Sequence, residues 1–290
     1  MKPGFITLVM LCFFLLLHTV AFTQHTADKK RLNFYISVRT KKIDPASQST
    51  QLQARWQYLF RKKEFYCMFV GSSEEMTRRI KKVLSEKNAM IGNIWFDSHG
   101  HFSRRKALFE IGKDEFNAET IKDSNHTASL RELAAYCDDN TVVAIGSCYG
   151  GATYTLPAIE NFPEQRMNGD TLMINLGRLL SNATVFGCES FVMTRPGLFY
   201  SGYSMAGNPG RKKFKDPIYQ PVWEQLGNWN CYNGKTGQFY RVNTVSLRRN
   251  GTIYTKGENY LNLAKKRDRT IRKISSFKKG NYNIAYLYQQ

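Results

Sequence analysis

The chain has 290 residues, 42% of them hydrophobic, enough for one large domain or a domain with an appendage built on a normal packed core. Its 42 lysines and arginines outnumber 23 aspartates and glutamates, a formal charge of +19. That balance suits acidic partners or a solvated basic surface, and the lack of a long apolar stretch beyond the first residues excludes a multi-span helical membrane protein. The opening segment reads as a secretory signal peptide over 1–23. Lys2 gives a positive start, residues 5–17 are almost wholly apolar, and Ala21-Phe22-Thr23 offers a small-x-small cleavage site before Gln24. A retained anchor fits less well, because the apolar run is short for a span. The mature chain is therefore expected outside the cytoplasm, secreted or periplasmic. Loss of the signal removes Cys12 and leaves Cys67, Cys137, Cys148, Cys188 and Cys231. An odd number leaves at least one thiol without an internal partner. The other four suit up to two disulfides, whose pairing the sequence does not give, or burial as small hydrophobes.

In chain order, residues 31–38 read as a first strand and 52–59 as helical. A second strand covers 64–70. Ser72-Ser73-Glu74-Glu75 reads as a helix start, with a capping hydroxyl and acids in the first turn, and Met76, Ile80, Val83 and Leu84 follow on one face. A third strand covers 91–96, a short extra strand 107–111, and a helix 130–136. A fourth strand covers 141–145, a helix 172–180, and a fifth strand 185–193. This alternation predicts an α/β fold, a mostly parallel sheet with helices on both faces. From residue 197 onward the composition changes. Residues 211–290 hold 17 Lys or Arg against 4 Asp or Glu, interleaved with aromatics. Residues 241–248, Asn250-Gly251 and 252–255 read as a β-hairpin with an Asn-Gly turn. The predicted organisation is a signal over 1–23, an α/β core over 24–196, and a basic, β-rich region over 197–290 that completes or packs on the core.

Two motifs carry chemistry. Ile94-Trp95-Phe96-Asp97-Ser98-His99-Gly100 and Val142-Val143-Ala144-Ile145-Gly146-Ser147-Cys148-Tyr149-Gly150 each run from a buried strand into a small residue, a reactive side chain and glycine. Sites in open α/β sheets lie at the carboxyl ends of strands, so His99 and Cys148 are expected at one sheet edge. An imidazole beside a thiol is the minimum for a cysteine nucleophile. Gly146-Ser147-Cys148-Tyr149-Gly150 also fits a thiol form of the nucleophile elbow, but that arrangement needs a histidine after the nucleophile. The five histidines are His18, His25, His99, His101 and His126, and none follows Cys148. Papain-like order fails for the same reason.

With histidine first, the sequence resembles the caspase-like cysteine peptidases, which include caspases, gingipains, clostripain and legumain. The resemblance rests on Ser98-His99-Gly100 and Gly146-Ser147-Cys148, each after an apolar block. The reactive residues are 49 positions apart (99 to 148), against about 50 in caspases. It implies a caspase-like α/β sandwich and a secreted cysteine endopeptidase acting on protein or peptide substrates, with no cofactor and no metal. In that reading Cys148 is the nucleophile, His99 protonates the leaving amine, and the N–H groups of Gly100 and Cys148 hold the oxyanion. An imidazolium neighbour is expected to lower the Cys148 pKa. The Arg-Gly that follows the cysteine in caspases is Tyr149-Gly150 here, and the pocket residues of the asparaginyl and arginyl branches do not align, so substrate preference stays open. Asp97 either orients a neighbour or only ends its strand. A metal pair at His99 and His101, with Asp97 and His126, is a weaker alternative that lacks a second ligand cluster. Asn125, Asn182 and Asn250 begin glycosylation sequons. The competing class is a secreted, non-catalytic binding protein on the same scaffold, with the basic region on a glycan, lipid headgroup or nucleic acid.

Overall fold

The computed structural model describes residues 29–39, 59, 64–100, 105–153, 155–156, 158, 163–189, 192–194, 203–206, 229–242, 245–248 and 250–255. The expected 1–23 signal with Cys12 and His18, together with His25, His101, most of the predicted 52–59 helix and most of the basic region, lies outside the described residues. The strands are β1 (Arg31–Val38), β2 (Phe65–Val70), β3 (Met90–Asp97), β4 (Leu108–Ile111), β5 (Asp114–Asn117), β6 (Val142–Ile145), β7 (Thr155–Leu156), β8 (Gln165–Arg166), β9 (Thr184–Cys188), β10 (Val192–Thr194), β11 (Tyr203–Ala206), β12 (Trp229–Tyr232), β13 (Phe239–Val242), β14 (Val245–Leu247) and β15 (Ile253–Thr255). The helices are α1 (Ser73–Lys87), α2 (Ala128–Arg131) and α3 (Gly169–Leu179).

Seven strands form one mixed, mostly parallel sheet in the order β13-β12-β9-β6-β3-β1-β2. β1, β2, β3, β6 and β9 run parallel, while β12 is antiparallel to both β9 and β13. The fold class is therefore α/β. The parallel strands read as apolar runs because both faces are covered. One face collects Leu32, Phe34 and Ile36 of β1, Ile94 and Phe96 of β3, and Val143 and Ile145 of β6, against Met76 and Ile80 of α1 and Leu172 and Leu176 of α3. Ser72 caps α1 by accepting the Glu75 N–H at 3.1 Å, and Asn88 ends it in the left-handed region.

Among the described residues helices pack on one face, and most of the predicted 52–59 helix lies outside them. The second face, with Tyr35, Trp95, Phe186 and Trp229, is covered by Val245 of β14 and Ile253 of β15. These belong to a second sheet, ordered β10-β11-β14-β15. Its hairpin closes through Gly251, whose φ of 80° is the left-handed value that Asn-Gly turns supply. The hairpin is fixed by polar bonds as well: Asn33 Nδ2 donates to the Asn250 carbonyl at 2.7 Å, and Ile253 N–H donates to Asn93 Oδ1 at 2.9 Å. Two expectations need correction. First, 130–136 is not one helix. α2 is a single turn, followed by a 3-10 turn over Ala134–Tyr136. Leu130 and Leu133, both 0% exposed, are three apart, the repeat a 3-10 bond pattern places on one side. Second, 185–193 is two strands in two sheets. β9 ends at Cys188 and β10 begins at Val192. Glu189, 0% exposed, ends the first run by turning its carboxylate to Asn230 and Arg241.

Candidate active site

β3 and β6 are hydrogen-bonded neighbours, with Phe96 opposite Ile145. Gly146 N–H extends the pairing to the Phe96 carbonyl at 2.7 Å. His99 and Cys148 each stand three residues beyond that pair, so the two loops leave one sheet edge side by side. The loops also share an anchor. Ser98 Oγ accepts the Glu110 N–H at 3.0 Å, and Ser147 Oγ donates to the Leu108 carbonyl at 2.6 Å. Both partners are backbone groups of β4.

Gly100 lies directly on the cysteine. A Cβ there would come 1.6 Å from the Cys148 carbonyl oxygen and 2.7 Å from its nitrogen, so only glycine permits the approach. The Val192 N–H donates to the Cys148 sulfur at 3.4 Å, and the N–H groups of Cys148 itself and of Gly100 also act on the thiol. The net effect on the thiol is nonetheless upward. Burial raises its pKa most, Asp97 adds to the rise, and the three N–H groups oppose it. The expected lowering is thus not the resting condition of this thiol. Cys137 and Cys231 are likewise pushed up by burial, to about 12. All five described cysteines are free thiols.

The loop after Cys148 is tightly held. Tyr149 has φ of 62°, a strained value for a bulky residue, and its buried ring packs with Ala152, Leu156 and Met167. Gly151 N–H donates to the Cys188 carbonyl at 2.9 Å, and Asn230 Nδ2 donates to the Gly151 carbonyl at 2.7 Å and to Glu189 Oε1 at 2.9 Å. Arg241 Nη2 completes the row on Glu189 Oε1 at 3.2 Å. Both hydrogens of the Asn230 amide are therefore committed, which fixes its orientation against the loop.

The His99 side chain is exposed at the same edge. Asp97, two residues earlier, accepts from Ser37 Oγ at 3.2 Å, and buried Tyr35 titrates well above its ordinary value through burial and then Asp97. His126 has a structural setting: its ring stacks obliquely on Phe116 at 4.9 Å, and Nε2 lies 2.8 Å from the Glu115 carbonyl. Among the described residues, no three His, Cys, Asp or Glu side chains gather as a metal cluster. Sequence reasoning did not single out Val192 or the Glu189–Asn230–Arg241 row. A lone Glu inside an otherwise apolar run was the available signal for Glu189. No protein-family model matches the chain, and no curated protein matches it.

Proposed function

We propose that this chain is a caspase-like cysteine endopeptidase, exported through its 1–23 signal and acting outside the cytoplasm. The observation that carries the reading is the equal offset of His99 and Cys148 from the Phe96–Ile145 pair, with the Gly100 backbone pressed on Cys148. The strand order supports it too: the His99 strand and the Cys148 strand are the third and fourth of the parallel set in sequence and are neighbours in the sheet. The Cys148 thiol passes its proton to His99 and the sulfur bonds to the scissile carbonyl carbon. The carbonyl oxygen becomes an oxyanion held by the N–H groups of Gly100 and Cys148. Collapse breaks the C–N bond, His99 returns the proton to the leaving amine, and a thioester remains on Cys148. Water, deprotonated by His99, then releases the acid and restores the thiol.

An extended substrate has a place to pair. β10 is the end strand of its sheet in the order of the described strands, and its Val192 N–H points to the sulfur rather than to β11. Backbone groups two residues apart share a direction, so Thr194 presents the same edge. Incubation with a peptide library, beside Cys148→Ala and His99→Ala, tests the function. Cleavage is expected in the parent and lost in both folded variants, and undiminished cleavage by Cys148→Ala overturns it.

The raised Cys148 pKa favours one competing reading, a binding platform whose basic region holds an anionic glycan, lipid or nucleic acid. In it, retention on heparin falls steeply with salt and survives Cys148→Ala. The resting thiol itself is checked by iodoacetamide alkylation against pH. The midpoint is expected above the ~8.5 of a free cysteine, and a midpoint below it contradicts the burial and Asp97 effects.

A further inference from the structure

Ser98 and Ser147 are the residues immediately before His99 and Cys148, and both bond to the same edge of β4, two residues apart. Ser98 Oγ receives the Glu110 N–H at 3.0 Å, while Ser147 Oγ gives its proton to the Leu108 carbonyl at 2.6 Å. Leu108 C=O and Glu110 N–H are the pair that a neighbouring strand would take, since alternate residues of a strand present their backbone groups to the same side. The other edge of β4 is paired with β5 from Leu108–Asn117 to Ile111–Asp114. β4 and β5 form a two-stranded sheet of their own, and two hydroxyls from two loops thus stand where a third strand's backbone would pair. β4 is itself rigidly seated, because Phe109 stacks on Phe96 of β3 at 5.0 Å and on Phe116 of β5 at 5.2 Å. Ser147 is 0% exposed, so water does not substitute for its bond.

From this we infer that Ser98 and Ser147 are positioning residues, a two-point clamp on β4 that sets the spacing of the His99 and Cys148 loops. The inference builds on the proposed pairing of those two residues. Neither serine touches substrate; each acts through the residue that follows it. Because reacting groups lose large factors when displaced by about 1 Å, the clamp governs turnover more than binding. Release of either point frees the spacing, so the second release adds little.

The test uses Ser98→Ala, Ser147→Ala, the double variant and Ser98→Thr, which keeps an oxygen that accepts the Glu110 N–H. With peptide substrate, each alanine variant is expected to lose at least tenfold in kcat with KM changed less than twofold. The double variant should match the worse single variant, and Ser98→Thr should recover most of the rate. A second readout needs no peptidase activity: the rate of Cys148 alkylation with and without His99→Ala. That substitution is expected to change the rate at least threefold in the parent and to have almost no effect once a clamp serine is gone. Losses that multiply in the double variant, or that follow melting temperature alone, overturn the clamp. So does an alkylation effect of His99→Ala that persists in both serine variants. If the parent cleaves no peptide yet the alkylation coupling behaves as stated, the endopeptidase reading fails and the clamp stands.

Discussion

The two faces of the seven-stranded sheet are held by different means. The helical face is closed by shape: β1, β3 and β6 contribute only large apolar side chains to it, and α1 and α3 meet them with more of the same. The hairpin face alternates apolar and polar positions on the same strands, with Asn33, Tyr35 and Ser37 on β1 and Asn93, Trp95 and Asp97 on β3. Its cover is joined through hydrogen bonds to Asn33 and Asn93, themselves linked from Asn93 Nδ2 to Asn33 Oδ1 at 2.7 Å. Close packing is non-directional and tolerates many sequences, whereas buried amides require partners at fixed places. The polar face ends, at its carboxyl edge, in Asp97, whose charge acts on the Cys148 thiol. So the face that needs exact partners is the one that delivers the site's electrostatics.

Truncation on the helical face tests this most severely. Phe96 is 0% exposed, stacks on Phe109, and its carbonyl receives Gly146. Phe96→Ala is expected to cost about 3–5 kcal/mol in urea unfolding, as buried aromatic truncations do. A loss below about 1 kcal/mol would mean that this face is not held by packing. On the other face, Asn93→Ala removes little volume but strands the Asn33 Oδ1 acceptor and the Ile253 N–H. It is expected to cost about 1–3 kcal/mol, the desolvation of orphaned buried groups. Hydrogen exchange should speed at Ile253 while α1 amides stay protected. Equal acceleration in α1 would erase the distinction between the faces.

The sequence carried the helical face well and the hairpin face poorly, for a physical reason. Apolar runs at 31–38, 91–96 and 141–145 have the length and continuity of parallel strands, and the strands formed there within a residue or so at each end. Ser72 announced α1 because a cap is a local bond. What covers a face is not local: Asn33 meets Asn250 across 217 positions, so the packing of the hairpin on that side is not written in the strands it covers. The break in 185–193 was hidden likewise, because the partners that bury Glu189 stand 41 and 52 positions away. At the site, His99, Gly100 and Cys148 were legible as a spaced pattern. The upward shift of the Cys148 thiol was not, since it depends on burial and on Asp97 across the strand pair.

The smallest effect belongs to the ends of the sheet rather than its faces. Arg31, which opens β1, holds Asp138, just before β6, in a two-pronged ion pair, one arm of which spans 3.0 Å. The Arg31 bond lowers the Asp138 carboxyl most, with help from the Asn140 N–H. At the other end, Glu75 is lowered first by the Gly71 N–H, at 2.9 Å, and then by Arg39. A carboxyl whose folded pKa is depressed adds stability above its unfolded value, near pH ~4, and loses it as pH falls through the folded value. Unfolding measured between pH 6 and 2 should therefore show a loss on the acid side that shrinks in Asp138→Asn and in Glu75→Gln. Both pairs are solvated, Asp138 with 35% of its side chain exposed against Arg31 with 33%, so screening confines each to the range of about 0–1 kcal/mol usual for surface pairs. Added salt should reduce the acid-side difference between parent and variants while leaving the Phe96→Ala cost unchanged. If salt lowers both alike, the electrostatic ends and the packed face are not separable as drawn here.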